Sequence, residues 1–298
     1  MADVRTHIHS HSRLERGLLV TVVLNLLITV VEIAGGVLSG SLALISDAVH
    51  NLSDGIAIVV TFVALRLSKR PRTRKYTFGL KRAELLAAII NASSLIVISF
   101  FLIREAIGRF SDPTPVTGGI MLAVALVGLA ANAVGTLLLK KGSTESINIR
   151  SAYIHLLSDA VSSLAVIVGG ICIIAFKVTW IDPVLTILIS LYILAEGFRI
   201  VKESVDVIMM SSPGYIEMSE LQRELETVPG VQNIHHVHLW RLNDADIHFE
   251  AHIEVEDIPI SRTADIRAAI ERTLLQKYRI NHTTLQFECD ACRSKELI

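Results

Sequence analysis

Six apolar stretches, each near or above the roughly 20 residues that cross a bilayer as a helix, fill the first two thirds of the chain. They run over Gly17–Leu38, Ser41–Leu67, Ala83–Gly108, Val116–Leu139, Ser151–Phe176 and Asp182–Val201. Hydrocarbon offers no partners to an open backbone, so each is expected to be a helix. Ser39-Gly40-Ser41, Asp112-Pro113-Thr114-Pro115 and Asp182-Pro183 supply turns between them. Only 19% of residues are charged, against about 25% in a typical soluble domain. The polar, His-rich residues 1–16 run straight into the first stretch, so no cleavable leader is expected.

Charge placement predicts orientation. Arg66–Arg82 holds eight Lys or Arg and no acid; Arg5, Arg13, Arg16, Lys140, Lys141 and Arg150 fall on the same side, whereas Arg109 and Lys177 fall on the other. Both termini are therefore expected in the cytoplasm. Beside six apolar spans, the basic run reads as a topology signal and not as a nucleic-acid site.

Composition changes near Glu203, where the chain turns charged. Ile216–Val228 has helical periodicity and ends at Pro229-Gly230. Val231–Leu242 and Asp246–Val255 alternate like strands around Asn243-Asp244. Thr263–Tyr278 is an amphipathic helix and Thr283–Glu288 a short strand. The expected fold is an α-helical membrane bundle of six transmembrane helices (17–203), after a cytoplasmic tail (1–16). A small cytoplasmic α+β domain of αββαβ, ferredoxin-like order (204–298) follows the bundle.

Within this frame one pattern occurs twice. His50-Asn51-Leu52-Ser53-Asp54 lies in the second span and His155-Leu156-Leu157-Ser158-Asp159 in the fifth. A His and an Asp four apart share one helix face. Two such faces opposed offer a tetrahedral N2O2 set suited to zinc. Ionisable residues in a span are costly and usually face a pathway with partners. Two ionised Asp with two neutral His carry a charge that one Zn2+ cancels, and imidazole protons can cancel it when the metal is absent. Metal binding must then displace protons, which predicts metal–proton exchange by alternating access.

Depth is the difficulty. His50 and Asp54 stand about 13 and 20 Å below the start of the second span, whereas His155 and Asp159 lie close to the start of the fifth. The levels match only if the fifth helix begins earlier, tilts or projects from the membrane. Asp47 is either a pathway residue or an interfacial one, and Glu32 is a similar case. Asn25, Asn91 and Asn132 are expected to hydrogen-bond between helices.

The paired motif, Ser41-Leu42-Ala43-Leu44 leading to Asp47, Tyr76-x-Phe78-Gly79 and Arg82-x-Glu84 together resemble the cation diffusion facilitator family. The resemblance covers nearly the whole chain. It implies proton-coupled zinc efflux, with cadmium or cobalt tolerated, by a homodimer with paired cytoplasmic domains. His50, Asp54, His155 and Asp159 would form the transport site. His50, where some members carry Asp, resembles the zinc-preferring branch. Arg82 and Asp206 match positions that can place a charge pair across the dimer, here with Arg in place of Lys.

The cytoplasmic segment is rich in ligand side chains. On strands, His236 and His238 share one face, as do His248, Glu250 and His252. The resemblance implies zinc sites here that stabilise the dimer or sense metal, with His235, His252, His282 and Glu288 first and Cys289 and Cys292 next. Cys289-x-x-Cys292 reads as reduced thiols or soft metal ligands. His7, His9 and His11 make a weaker metal-collecting candidate.

Two other functions are open to such a chain. An intramembrane metal hydrolase needs an open zinc position and a water-activating base, and no His-Glu-x-x-His is present. A membrane-anchored metal sensor or scaffold would not need a repeated ionisable motif. The chain is therefore expected to be a transporter and not an enzyme, in a bacterial inner membrane, with zinc, protons and lipid as partners and no nucleic acid.

Overall fold

A computed structural model describes residues 23–68, 70–140, 147–243, 246–292 and 295–298. The chain divides into two compact units: residues up to Phe62 with Ile90–Ile200, and Val63–Ile89 with Val201–Ile298. The helices are α1 (Val23–Ser39), α2 (Leu42–Ser68), α3 (Ala83–Ser111), α4 (Gly118–Leu139), α5 (Ile147–Phe176) and α6 (Ile181–Ile208). After them come α7 (Met218–Glu226), β1 (Asn233–Arg241), β2 (Ile247–Glu254), α8 (Ile260–Tyr278) and β3 (His282–Glu288).

Among the described residues α3, α4, α6 and the Tyr153–Phe176 part of α5 are long and apolar enough to cross a membrane, and α1 is a shorter apolar helix. The 27-residue α2 stands outside that set; its length carries Asp47, His50, Asn51 and Asp54. Two boundaries differ most from expectation. α5 starts at Ile147 instead of Ser151, and α6 runs to Ile208 instead of stopping at Val201.

The helical unit has a small apolar centre of Ala43, Leu44, Met121, Ala125, Val166, Ile167 and Ile173, while large side chains such as Val30, Phe101, Leu137 and Phe176 are exposed. Such a surface suits lipid contact. Small residues let the helices approach: a Cβ on Gly170 would stand 3.3 Å from Leu122.

The turn between α1 and α2 is closed by a distant side chain. Gly40 takes φ +73°, a conformation open to glycine at little cost. The carboxylate of Asp182, fully buried at the start of α6, accepts from Ser41 Oγ at 2.5 Å, Leu42 N at 2.9 Å and Ala43 N at 3.3 Å. It thereby caps the otherwise unpaired N–H groups of α2 and meets the positive end of its dipole. Arg109 donates to Gly40 O at 2.5 Å and lies 3.5 Å from Asp182 Oδ2.

In the second unit the strands form one sheet in the order β1-β2-β3, with β1 antiparallel and β3 parallel to β2. The expected αββαβ order is therefore present. α7 and α8 bury Leu221, Leu225, Ile266, Ile270 and Leu274 against Ile234, Phe249, Ala251 and Ile253 of the sheet. The β1–β2 register slips between His235 and His238, and His236 takes φ +52°. This bulge breaks the alternation, so that Ile234 and His235 are both buried.

Candidate metal centre

The His-x-x-x-Asp faces of α2 and α5 meet. His50 Nε2 lies 3.7 Å from Asp54 Oδ2 and 3.8 Å from Asp159 Oδ1. His155 Nε2 lies 3.2 Å from Asp54 Oδ2 and 3.5 Å from Asp159 Oδ2. A tetrahedron with bonds near ~2.1 Å has edges of about 3.4 Å; the four spacings are near that length, single donor atoms of His50, His155 and Asp159 all lie within 4.8 Å of one another, and Asp54 Oδ2 approaches both imidazoles. Asp54 Oδ2 and both oxygens of Asp159 are buried without a hydrogen-bond partner, as donors turned toward a cation would be. His155 keeps 40% of its side-chain surface and Asp159 only 2%.

The early start of α5 removes the depth difficulty. Beginning at Ile147 places His155 about two turns inside the helix, and its donors reach the level of His50 and Asp54.

Asp47 is buried, and Ser162 Oγ donates to it at 2.5 Å. Glu32 is fully buried and accepts from Asn51 Nδ2 at 2.8 Å. Asn25 and Asn91 make inter-helix bonds, to Asn51 O at 3.3 Å and from Ser53 Oγ at 3.1 Å. Asn132 does not: both its amide atoms are buried without a partner.

The second unit gathers another donor set. His235 Nε2 lies 2.9 Å from Glu288 Oε1, and His252 Nδ1 lies 3.1 Å from Glu288 Oε2. Cys292 Sγ stands 3.5 Å from His252 Nδ1 and 3.6 Å from Glu288 Oε2. The bulge brings His235 opposite His252 across the strands. Asn233 Oδ1, which can only accept, takes the Nδ1 proton of His235 at 2.9 Å. This contact orients the His235 ring so that Nε2 faces Glu288 Oε1. Burial pushes the Glu288 carboxyl up, but hydrogen bonds from Cys292 and His235 and the nearby imidazoles outweigh it and hold it below its ordinary value. The hydrogen bond to Glu288, then burial, raises the Cys292 thiol, so a metal would have to displace its proton.

His282 and Cys289 do not join this group. His282 pairs with His248 across β2 and β3, ring centroids 4.3 Å apart, because the parallel register sets it six positions from Glu288 along β3. Cys289 is exposed. Among the described residues Arg82 and Asp206 make no ion pair, and Arg82 Nε is buried without a hydrogen-bond partner. His7, His9 and His11 lie outside the described residues.

Residues 18–209 match the family model for the cation efflux transmembrane domain, and residues 213–289 match that for the cation efflux protein cytoplasmic domain. The chain belongs to the cation efflux family. Its relatives in this family include the zinc transporter ZitB of Shigella flexneri, 40% identical over 88% of this chain and 83% of that protein. The cadmium, cobalt and zinc/H(+)-K(+) antiporter of Bacillus subtilis is 37% identical over 96% of this chain and 92% of its own length. The metal cation efflux system protein CzcD of Cupriavidus metallidurans is 32% identical over 97% and 92%. Membership makes the chain an integral membrane protein and sets His50, Asp54, His155 and Asp159 inside the matched transmembrane domain.

Sequence reasoning missed two contributors in this cation efflux chain. Asp182 was taken for a turn residue, and nothing local marks it as the cap of a helix far away in sequence. Asn233, which orients His235, carries no signal beyond lying two residues before it.

Proposed function

We propose that this chain carries zinc out of the cytoplasm in exchange for protons, with His50, Asp54, His155 and Asp159 as the transport site. The observation that carries this reading is the set of four spacings between 3.2 and 3.8 Å that join each His to both Asp side chains. Zinc is the substrate here. It enters four donors that are complete without water, which suits binding and release of a whole ion better than hydrolysis. Protons and metal compete for His50 and His155, so acid on the side the site faces favours release and neutral pH favours loading. The relatives named for zinc, cadmium and cobalt support this substrate class, and the antiporter's name supports the exchange.

The same reading takes α1 to α6 as six spans in a bacterial inner membrane with both termini in the cytoplasm, as the loop charges suggest. The second unit is read as a ferredoxin-like domain that pairs in a homodimer, where Arg82 and Asp206 form a charge pair between subunits. His235, His252, Glu288 and Cys292 would hold a structural zinc there, with a donor set of the kind zinc accepts. Asp47 serves the pathway to the transport site.

The test is zinc flux into vesicles holding the purified protein, with and without an imposed pH gradient. An inward-acid gradient is expected to drive zinc in the direction opposite to proton flow. Zinc movement indifferent to the gradient contradicts the exchange.

A further inference from the structure

Beside the four-donor site lies buried polarity that metal binding does not use. Glu32 on α1 is fully buried; Asn51 Nδ2 donates to its Oε2 at 2.8 Å, and its Oε1 has no partner. Ser163 Oγ, both amide atoms of Asn132, and the Oδ1 atoms of Asn25 and Asn51 are also buried and unpartnered. Gly128 makes room for this group: a Cβ there would stand 2.8 Å from Glu32 Oε1 and 3.5 Å from Ser163 Oγ. Asn132 follows one turn later on the same face of α4. Buried polar atoms are nearly always hydrogen-bonded. Asn51 and Ser163 are placed beside the Glu32 carboxyl by the 2.8 Å bond and the shared approach to Gly128, and unpaired buried groups there mark a place for ordered water, which takes about three bonds per molecule from such groups.

Charge narrows the occupant further. One Zn2+ in the cage offsets Asp54 and Asp159, leaving nothing for Glu32 or Asp47. Among the described residues no Lys or Arg pairs with either acid. The titratable groups facing Glu32 are Asp47 on α2 and Asp159 on α5, both of like charge; α4 contributes Asn132 and no charge. A proton is the cation that removes the cost of a lone buried carboxylate. The group is tied to the metal ligands along the chain: Asn51 follows His50 on α2, and Ser163 lies one turn after Asp159 on α5.

We propose that Glu32 is a proton relay of the exchange cycle, set apart from the metal ligands in a hydrated chamber formed with Asn51, Asn132 and Ser163. The inference rests on the metal–proton exchange proposed above. As zinc leaves, the N–Zn bond of an imidazole breaks and the freed nitrogen takes a proton through chamber water. That proton comes from Glu32, whose O–H bond breaks with the electron pair left on the carboxylate. A hydronium ion on the aqueous side to which the bundle is open then restores the Glu32 proton and becomes water. One metal ion is thus replaced by protons without leaving an uncompensated charge.

The experiment uses the full chain in vesicles, with zinc flux measured against zinc concentration over a series of pH values, and equilibrium zinc binding measured in parallel. Glu32→Gln is expected to lower maximal flux about tenfold or more, to leave half-saturating zinc within about twofold, and to flatten the pH dependence. Glu32→Asp restores part of the rate, and Gly128→Ala, which crowds Oε1, shifts flux in the same direction as Glu32→Gln by less. Parental flux and pH profile in Glu32→Gln overturn the relay. A loss of zinc affinity equal to the loss of flux overturns it too, since it makes Glu32 a binding residue. Should Glu32→Gln fail to fold, Gly128→Ala decides: parental rate and pH profile there overturn the relay. If the parent protein itself ignores the pH gradient, the exchange reading fails first. If the parent responds and Glu32→Gln responds equally, the relay alone fails.

Discussion

His155 Nε2 on α5 lies 3.2 Å from Asp54 Oδ2 on α2, closer than to Asp159 within its own motif at 3.5 Å. The donors of the two motifs are therefore interleaved, and in the proposed four-donor cage a change in one alters the environment of all the others.

Donor identity should then set metal preference. His50→Asp turns the N2O2 set into one nitrogen and three oxygens, a harder set that favours manganese over zinc. Zinc affinity is expected to fall about 10–100-fold, the range seen when a metal's supporting ligands are disturbed. Competition flux with zinc, cadmium, cobalt and manganese checks this, and an unchanged metal order counts against a shared cage.

Asp182→Ala removes the cap of α2 and leaves Arg109 only the exposed Glu105, 4.0 Å away. The expected cost is about 2–4 kcal/mol, seen as a lower thermal midpoint in detergent with little change in zinc affinity of the surviving protein. A stability loss without the affinity loss separates this role from a ligand role.

The legible part of the molecule was the part written locally. The paired His-x-x-x-Asp motif, the αββαβ order and the apolar spans all follow from spacing and periodicity within one segment. The depth mismatch arose because the apolar span begins at Ser151, whereas the helix itself starts at Ile147. In the second unit His235, His252, Glu288 and Cys292 converge while His282 and Cys289 do not. That division depends on a bulge in β1 and a parallel register between β2 and β3, neither of which sequence alternation encodes. Glu32, Asn51 and Gly128 come together only through the packing of three helices.

Zinc should stabilise the full chain through the cytoplasmic cluster as well as the cage. At a hundredfold excess over the dissociation constant, a site specific to the folded state adds about 2.7 kcal/mol. Glu288→Gln, which touches His235, His252 and Cys292 at once, is expected to remove most of that cluster's share in thermal unfolding with and without zinc. An equal zinc-induced shift in parent and variant contradicts metal binding there.

Burial first, then His282 and the cations Lys81 and Arg72, lower the His248 pKa in the fold. Between that lowered value and about 6.5, the ordinary value for His, the unfolded chain binds more protons. Stability should therefore rise with pH through this window and level off above it. His248→Gln is expected to flatten its share of that slope in unfolding measured between about pH 5 and 7; an identical slope in the variant sinks the assignment.

The most direct measurement of the central claim is zinc uptake by vesicles containing the parent protein, Asp54→Ala or Asp159→Ala, with zinc binding measured on the same preparations. The shared cage predicts that either substitution alone abolishes uptake and lowers affinity by a similar factor, while the protein stays folded. Uptake retained by either variant, or loss confined to one of the two motifs, contradicts a single four-donor transport site.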